Sequence, residues 1–250
     1  MSWSSHRKLV IGLIVGAVLV AIIAVTAIAT LYETPTCFDQ KLNQDEQGID
    51  CGGSCSLLCS ASQQKLSTRF VRQLSLPAGR TDVVAYIDNP NTNAAAHDVK
   101  YRITLYGGDN IIIASKTGVT DIPPSTTVPV FVPGFYSGYQ EVARAFLEFE
   151  GTTEWHRDTE ERPDVSVTNI VVTEDVAPRV TAEINNPTAL AIYNVPVVAT
   201  LFDAQNNAIA ASATVADAIP PQGSANLVFT WNAPFPAPVA RAELIPILPL

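Results

Sequence analysis

The sequence predicts a mainly β protein: a single N-terminal transmembrane helix, a small Cys-rich segment, and two tandem antiparallel β-sandwich domains. Three observations predict it. Residues 9–32 carry no charge, all four cysteines fall between Cys37 and Cys59, and the chain beyond repeats itself at an offset of 97, Asn89-Pro90 recurring as Asn186-Pro187. Apolar residues make up 47% of the chain and charged ones 16%. That is enough apolar surface to offset the entropy of ordering, and too little charge for a disordered polyelectrolyte. With 15 Lys and Arg against 24 Asp and Glu the net charge is −9, which suits no grip on nucleic-acid phosphates, so no nucleic-acid partner is expected.

Residues 1–8 read as a cytoplasmic tail and 9–32 as the transmembrane helix. At 1.5 Å per residue this run crosses a hydrocarbon core about 30 Å thick, so the expected surroundings are a lipid bilayer. A cleavable signal competes with a retained anchor. Ala27-Ile28-Ala29 has the small-x-small form of a cleavage site and His6-Arg7-Lys8 would be its basic flank, although the apolar run exceeds the usual signal length. In either case Arg7 and Lys8 lie N-terminal to the run and the next basic residue is Lys41. The charge bias places the N-terminus in the cytoplasm and the C-terminal bulk outside, as in a single-pass cell-membrane protein. Trp3 and Tyr32 bracket the run where interfacial aromatics belong. Gly12 and Gly16 form a GxxxG step that lets two helices approach, which would give a homodimer through the membrane helix. Against this, Gly and Ala are simply common in membrane helices.

Residues 33–62 form the Cys-rich segment, too small to bury much apolar area and therefore in need of cross-links or a metal. Outside the cell, Cys37, Cys51, Cys55 and Cys59 are expected in two disulfides, with three possible connectivities. Zinc is the competing reading, but the spacing lacks paired C-x2-C knuckles and no metal is assigned. Asp39, Asn43, Asp45, Glu46 and Asp50 supply oxygens that can gather around Ca²⁺, the one cofactor considered. The stretch is no EF-hand, since Lys41 stands at the third position and Gln44 where that loop needs Gly; a solvated acidic loop is the alternative. Cys37, Asp39, Asn43, Glu46, Gly48, Asp50, Cys51, Gly52, Gly53, Cys55 and Cys59 together resemble a Cys-rich motif of exported bacterial surface proteins, C-x-D-G-x-x-N-x-x-E-x-G-x-D-C-G-G-x-C-x-x-C. Gln40 stands where that pattern has Gly, and one extra residue separates Cys55 from Cys59. The resemblance implies a surface location and no particular reaction.

Residues 63–150 and 165–250 are the two β-sandwiches, joined by 151–164. Asn110 recurs as Asn207, Ala114-Ser115 as Ala211-Ser212, Ile122-Pro123-Pro124 as Ile219-Pro220-Pro221 and Arg144-Ala145 as Arg241-Ala242. Apolar and β-branched residues alternate within each copy, and turn residues interrupt them at intervals of about ten. Each copy resembles the immunoglobulin-like domains of the FxLYD type and the related water-stress (late-embryogenesis type 2) domains, in which an Asn-Pro turn, a strand ending in Leu-Tyr or Leu-Phe, a Gly/Asp/Asn hairpin and an Ile-Pro-Pro loop follow one another. That resemblance implies non-enzymatic modules without catalytic residues. The stretch 151–164 shifts to high charge and reads as an acidic, solvated hinge. Glu154, Asp158, Glu160, Glu161 and Asp164 are a weaker Ca²⁺ alternative, and Trp155 is expected against a domain edge.

Chemistry is sparse. His6, His97 and His156 have no Cys or Ser motif to serve, and nucleophile-elbow, zincin, Walker and dinucleotide signatures are absent. The chain is expected to be no enzyme. Its expected role is a membrane-anchored, extracytoplasmic structural or interaction protein of the cell envelope, meeting a protein partner through sandwich edges or loops. The alternative is an accessory subunit of a membrane transport, secretion or filament complex. An exported enzyme is the third reading and requires a deep pocket with titratable groups.

Overall fold

The computed structural model describes residues 3–31, 36–248 and 250; Tyr32 lies outside the described residues, as does the side chain of Trp3. The chain divides into two units, Met1–Cys55 and Ser56–Leu250.

In the first unit, helix α1 runs over Trp3–Leu31. Between its terminal turns the backbone polar groups pair within the helix, and the Thr26 hydroxyl bonds back to Ile22 O at 2.8 Å, so the middle of the element needs no water. Arg7–Ala29 is long and apolar enough to cross a membrane, and none of it is buried. A Cβ added at Gly12 or Gly16 would meet nothing within 4 Å.

The second unit is built from strands. The first sandwich contains β1 (Leu57–Leu58), β2 (Ser67–Leu76), β3 (Arg80–Asp88), β4 (Ala94–Tyr106), β5 (Ile112–Ile122), β6 (Thr127–Tyr136), β7 (Arg144–Phe149) and β8 (Trp155–Arg157). The second sandwich contains β9 (Ser166–Thr173), β10 (Arg179–Asn186), β11 (Ile192–Phe202), β12 (Ala208–Ile219), β13 (Gly223–Thr230) and β14 (Arg241–Pro246). All pairings are antiparallel. Sheet β2-β3-β6 faces a sheet in which β4 lies between β5 and β7; correspondingly, β9-β10-β13 faces a sheet in which β11 lies between β12 and β14. The alternation anticipated from sequence fills each interior. Val83, Ile87, Ile103, Leu105 and Phe135 meet in one core, and Val180, Ile184, Val197, Leu201 and Phe229 in the other.

One polar residue fastens each sandwich from inside. Asn89, 3% exposed, donates to Ala94 O and Pro123 O, both at 2.8 Å, and accepts from Asn91 N at 3.0 Å. Asn186 donates to Leu190 O at 2.7 Å and Pro220 O at 3.2 Å, and accepts from Thr188 N at 3.0 Å. These carboxamides pair carbonyls that would otherwise be orphaned where the chain turns between sheets. Glycine is required at Gly118 for another reason: an added Cβ would lie 2.2 Å from the hydroxyl of Tyr101, its cross-strand partner.

Two segments differ from expectation. Residues 151–164 are no free hinge, because Trp155–Arg157 form β8, which pairs with β4 and with β1. The indole of Trp155 is 3% exposed within the first core; its apolar area outweighs the charge of its neighbours. Asp158, one of the weaker Ca²⁺ candidates, bonds Arg162. Although burial works to raise it, the Arg162 side chain and the Glu160 amide hold the Asp158 carboxyl below its ordinary value. Residues 56–62, read as the end of the stapled segment, belong to the second unit, with β1 as an outlying strand of the first sandwich.

The sandwiches also pack against each other. The outward face of β2-β3-β6 meets the outward face of β11-β12-β14 through Leu74, Val84, Tyr86, Phe202, Ala208 and Ala211, with Phe70, Phe131 and Ile245 around them. β3 is therefore covered on both sides, with Val83, Val84, Ala85 and Ile87 each 0% exposed.

Candidate functional site

Two places merit description as sites: the stapled segment, and the junction of the sandwiches.

In the stapled segment Cys37 bonds Cys55. Cys51 and Cys59 are also disulfide-bonded, and no cysteine is free. Cys37, Glu46 and Cys55 lie close enough to resemble a metal site, but both sulfurs are spent on the disulfide and no thiolate is left for zinc. The oxygen-bearing residues between the cysteines accept hydrogen bonds from loop amides and from neighbouring side chains. Asp50 Oδ1 accepts from Asp39 N at 3.0 Å and Gln40 N at 3.1 Å. Asp39 Oδ2 accepts from Asn43 Nδ2 at 2.8 Å, Glu46 Oε2 from Asn43 N at 3.2 Å, and Asp45 Oδ1 from Ser54 Oγ at 2.7 Å. The Asn43 carboxamide, with the Thr36 and Lys41 amides, holds the Asp39 carboxyl below its usual value. A cation here would have to displace N–H donors already in place. The loop also adopts left-handed backbone at Gln40 (φ 59°), Gln44 (φ 53°) and Asp50 (φ 56°). The first is the position where the resembled motif has Gly, and the second is where an EF-hand needs one.

At the junction, the Tyr86 hydroxyl donates to Glu243 Oε2 at 3.1 Å. Burial raises the phenol well above its ordinary value, and the facing carboxylate adds to this, so Tyr86 stays protonated as the donor. Thr200, fully buried beside it, has no hydrogen-bond partner of standard geometry for its hydroxyl. Arg241 lies 3.9 Å above the centroid of the Phe202 ring and pairs with Glu243 at 3.2 Å. Phe70 stacks on Tyr86 at 4.6 Å and meets Phe202 edge-on at 6.2 Å, and Arg72 donates to Asn207 Oδ1. Buried aromatics with satisfied polar tips fix one geometry for the pair of sandwiches.

Beside this contact the sandwiches leave a cleft of about 560 Å³. Leu74, Arg80, Asp82 and Phe131 come from one side, and Ala211, Trp231 and Phe235 from the other. Asp82 Oδ1 accepts from Gly134 N at 2.7 Å; burial raises its carboxyl above the ordinary value, while that hydrogen bond and the charges of Arg80 and Lys116 oppose the rise. Trp231 Nε1 donates to Ala211 O at 3.0 Å and its ring meets Phe235 edge-on at 5.1 Å. An aromatic floor with one carboxyl and one guanidinium suits binding of a partly apolar ligand or segment. Sequence reasoning missed this cleft because its walls are far apart in the chain. Its one signal was the aromatic and proline-rich run Trp231-Asn232-Ala233-Pro234-Phe235-Pro236. The structure also brings together His97 and His156, two histidines without a Cys or Ser motif: their rings meet edge-on at 5.3 Å.

No family model matches the chain, and no curated protein matches it. Among solved structures it is similar to red sea bream transglutaminase at 14% identity and a TM-score of 0.25, over 74% of this chain and 31% of that one. The chain thus spans about a third of that protein's length, and so low a score carries no argument about what this chain does.

Proposed function

We propose that the chain is a membrane-anchored, extracytoplasmic interaction protein of the cell envelope, non-enzymatic, with its N-terminus in the cytoplasm. Its two sandwiches are a tandem repeat of immunoglobulin-like modules of the FxLYD and water-stress type. The observation that carries this reading is α1, since the span Arg7–Ala29, uncharged from Leu9 onward and with no part buried, gains most from leaving water for a bilayer. The disulfides support export, because reducing compartments do not maintain them. The equal strand order of the sandwiches supports the repeat, and their packed junction supports a rigid presenter of faces, edge strands and one cleft to a protein partner. Two α1 helices pair through Gly12 and Gly16.

The test is fractionation of cells expressing a C-terminally tagged chain. Retention in the membrane pellet after carbonate washing, with the tag removed by protease added outside intact cells, is the expected result. Release by carbonate, or a tag protected until the cells are broken, overturns the reading.

A further inference from the structure

We propose that the stapled segment rests on the bilayer surface and inserts Phe38, Leu42 and Ile49 at the headgroup boundary. This deepens the membrane-anchor reading and rests on it. The three side chains are 81%, 63% and 62% exposed, on a segment too small to cover them itself. They also surround a single knot. Phe38 precedes Asp39, Leu42 precedes Asn43 and Ile49 precedes Asp50, and Asp39, Asn43 and Asp50 are the residues whose mutual hydrogen bonds tie the segment. Their backbones are therefore held near one another.

The occupant follows from the tether. Helix α1 ends at Leu31, and the seven residues from there to Phe38 reach at most about 25 Å when fully extended. A bilayer that holds α1 therefore stays within reach of this segment, and aromatic and aliphatic side chains gain by partitioning into its boundary. Charge selects the lipid. Asp39, Asp45, Glu46 and Asp50 against Lys41 repel anionic headgroups, so the surface is a zwitterionic one.

The full chain in phosphatidylcholine nanodiscs, with and without brominated acyl chains, tests this by tryptophan emission. Phe38→Trp minus wild type reads the segment, wild type minus Trp3→Phe reads the anchor, and Leu190→Trp, at a position 77% exposed in the second sandwich, reads solvent. Leu42→Trp gives a second reading of the same surface. Emission from positions 38 and 42 is expected to be blue-shifted and quenched by bromine, less so as phosphatidylglycerol is added, with position 190 unaffected. Solvent-like, unquenched emission at 38 and 42 while Trp3 is quenched overturns the proposal and leaves the anchor standing. A blue shift without bromine quenching means that protein covers the patch, and also overturns it. Absence of quenching at Trp3 as well removes the anchor reading and the proposal together.

Discussion

The outward faces of β3 and β10 hold the same place in two sandwiches of the same strand order, yet one is covered and the other is wet. Asp82, Val84 and Tyr86 on β3 correspond at the repeat offset to Arg179, Thr181 and Glu183 on β10. Val84 and Tyr86 are 0% and 1% exposed, whereas Thr181 and Glu183 are half-buried. Across the strands, Val84 lies beside Phe131 and Thr181 beside Val228, the latter 51% exposed. The opposite sheets show the reverse. Phe202, beneath the Arg241 guanidinium, is 4% exposed against the first sandwich, while Phe146, beneath the corresponding Arg144, is 50% exposed. Inward residues fix the fold in both sandwiches. Outward residues decide association, and where the copies differ there the junction lies. The contact also joins non-equivalent sheets, so it does not pair one face with its own copy.

The largest effect should come from giving β3 the residue that β10 has. Tyr86→Glu places a carboxylate against Glu243 in a buried contact, an uncompensated charge costing about 3–5 kcal/mol. Because Glu is tolerated at the same place in the second sandwich, undocking rather than unfolding should relieve it. Calorimetry should resolve two transitions in place of one, and small-angle scattering should show a longer particle; one unshifted transition would mean that the junction does not couple the sandwiches. Next, Asn89→Ala and Asn186→Ala should each cost about 2–3 kcal/mol in urea unfolding, because each strands buried backbone groups. Equal losses would establish that the two carboxamides do one job, and a loss in only one copy would break the equivalence.

Much of this was legible in the sequence because it rests on short-range periodicity. The uncharged run became α1, the alternation became the inner faces, and the recurrent Asn-Pro became the two buried fasteners. The junction was not read from the sequence, where alternation was assumed throughout, although Val83-Val84-Ala85-Tyr86-Ile87 is apolar at every position, as in a strand covered on both faces. Trp155 was expected against a domain edge, but the charge of the stretch around it hid the short strand that carries it into the first core. The cleft had no local signature, since Asp82 and Trp231 meet only through tertiary packing. The Ca²⁺ candidates show why composition alone does not assign a role: carboxylates that cap loop amides have the same composition and spacing as carboxylates that bind cations.

Two smaller effects sharpen the contrast between the copies. Thr200 faces the junction with a buried hydroxyl that meets the Tyr86 phenol outside good hydrogen-bond geometry, and Thr200→Val keeps its shape while removing that group, so a gain of about 1 kcal/mol is expected in urea unfolding. A loss would show that the hydroxyl is satisfied by the Tyr86 phenol after all. The smallest effect concerns Asp82, whose counterpart is the exposed Arg179. Burial raises the Asp82 carboxyl above its ordinary value, so the folded state binds its proton more tightly than the unfolded chain does. Its favourable contribution is complete below the ordinary carboxylate value and disappears as pH rises through the raised one. Asp82→Asn keeps an oxygen for the Gly134 amide and never carries the charge. The variant should therefore match wild type near pH 3 and become the more stable of the two as pH rises toward neutrality, read as urea midpoints over that range. If wild type gains on the variant instead, the Asp82 charge is held by Arg80 and Lys116 strongly enough to overcome burial, and the cleft is an electrostatic site rather than an apolar one.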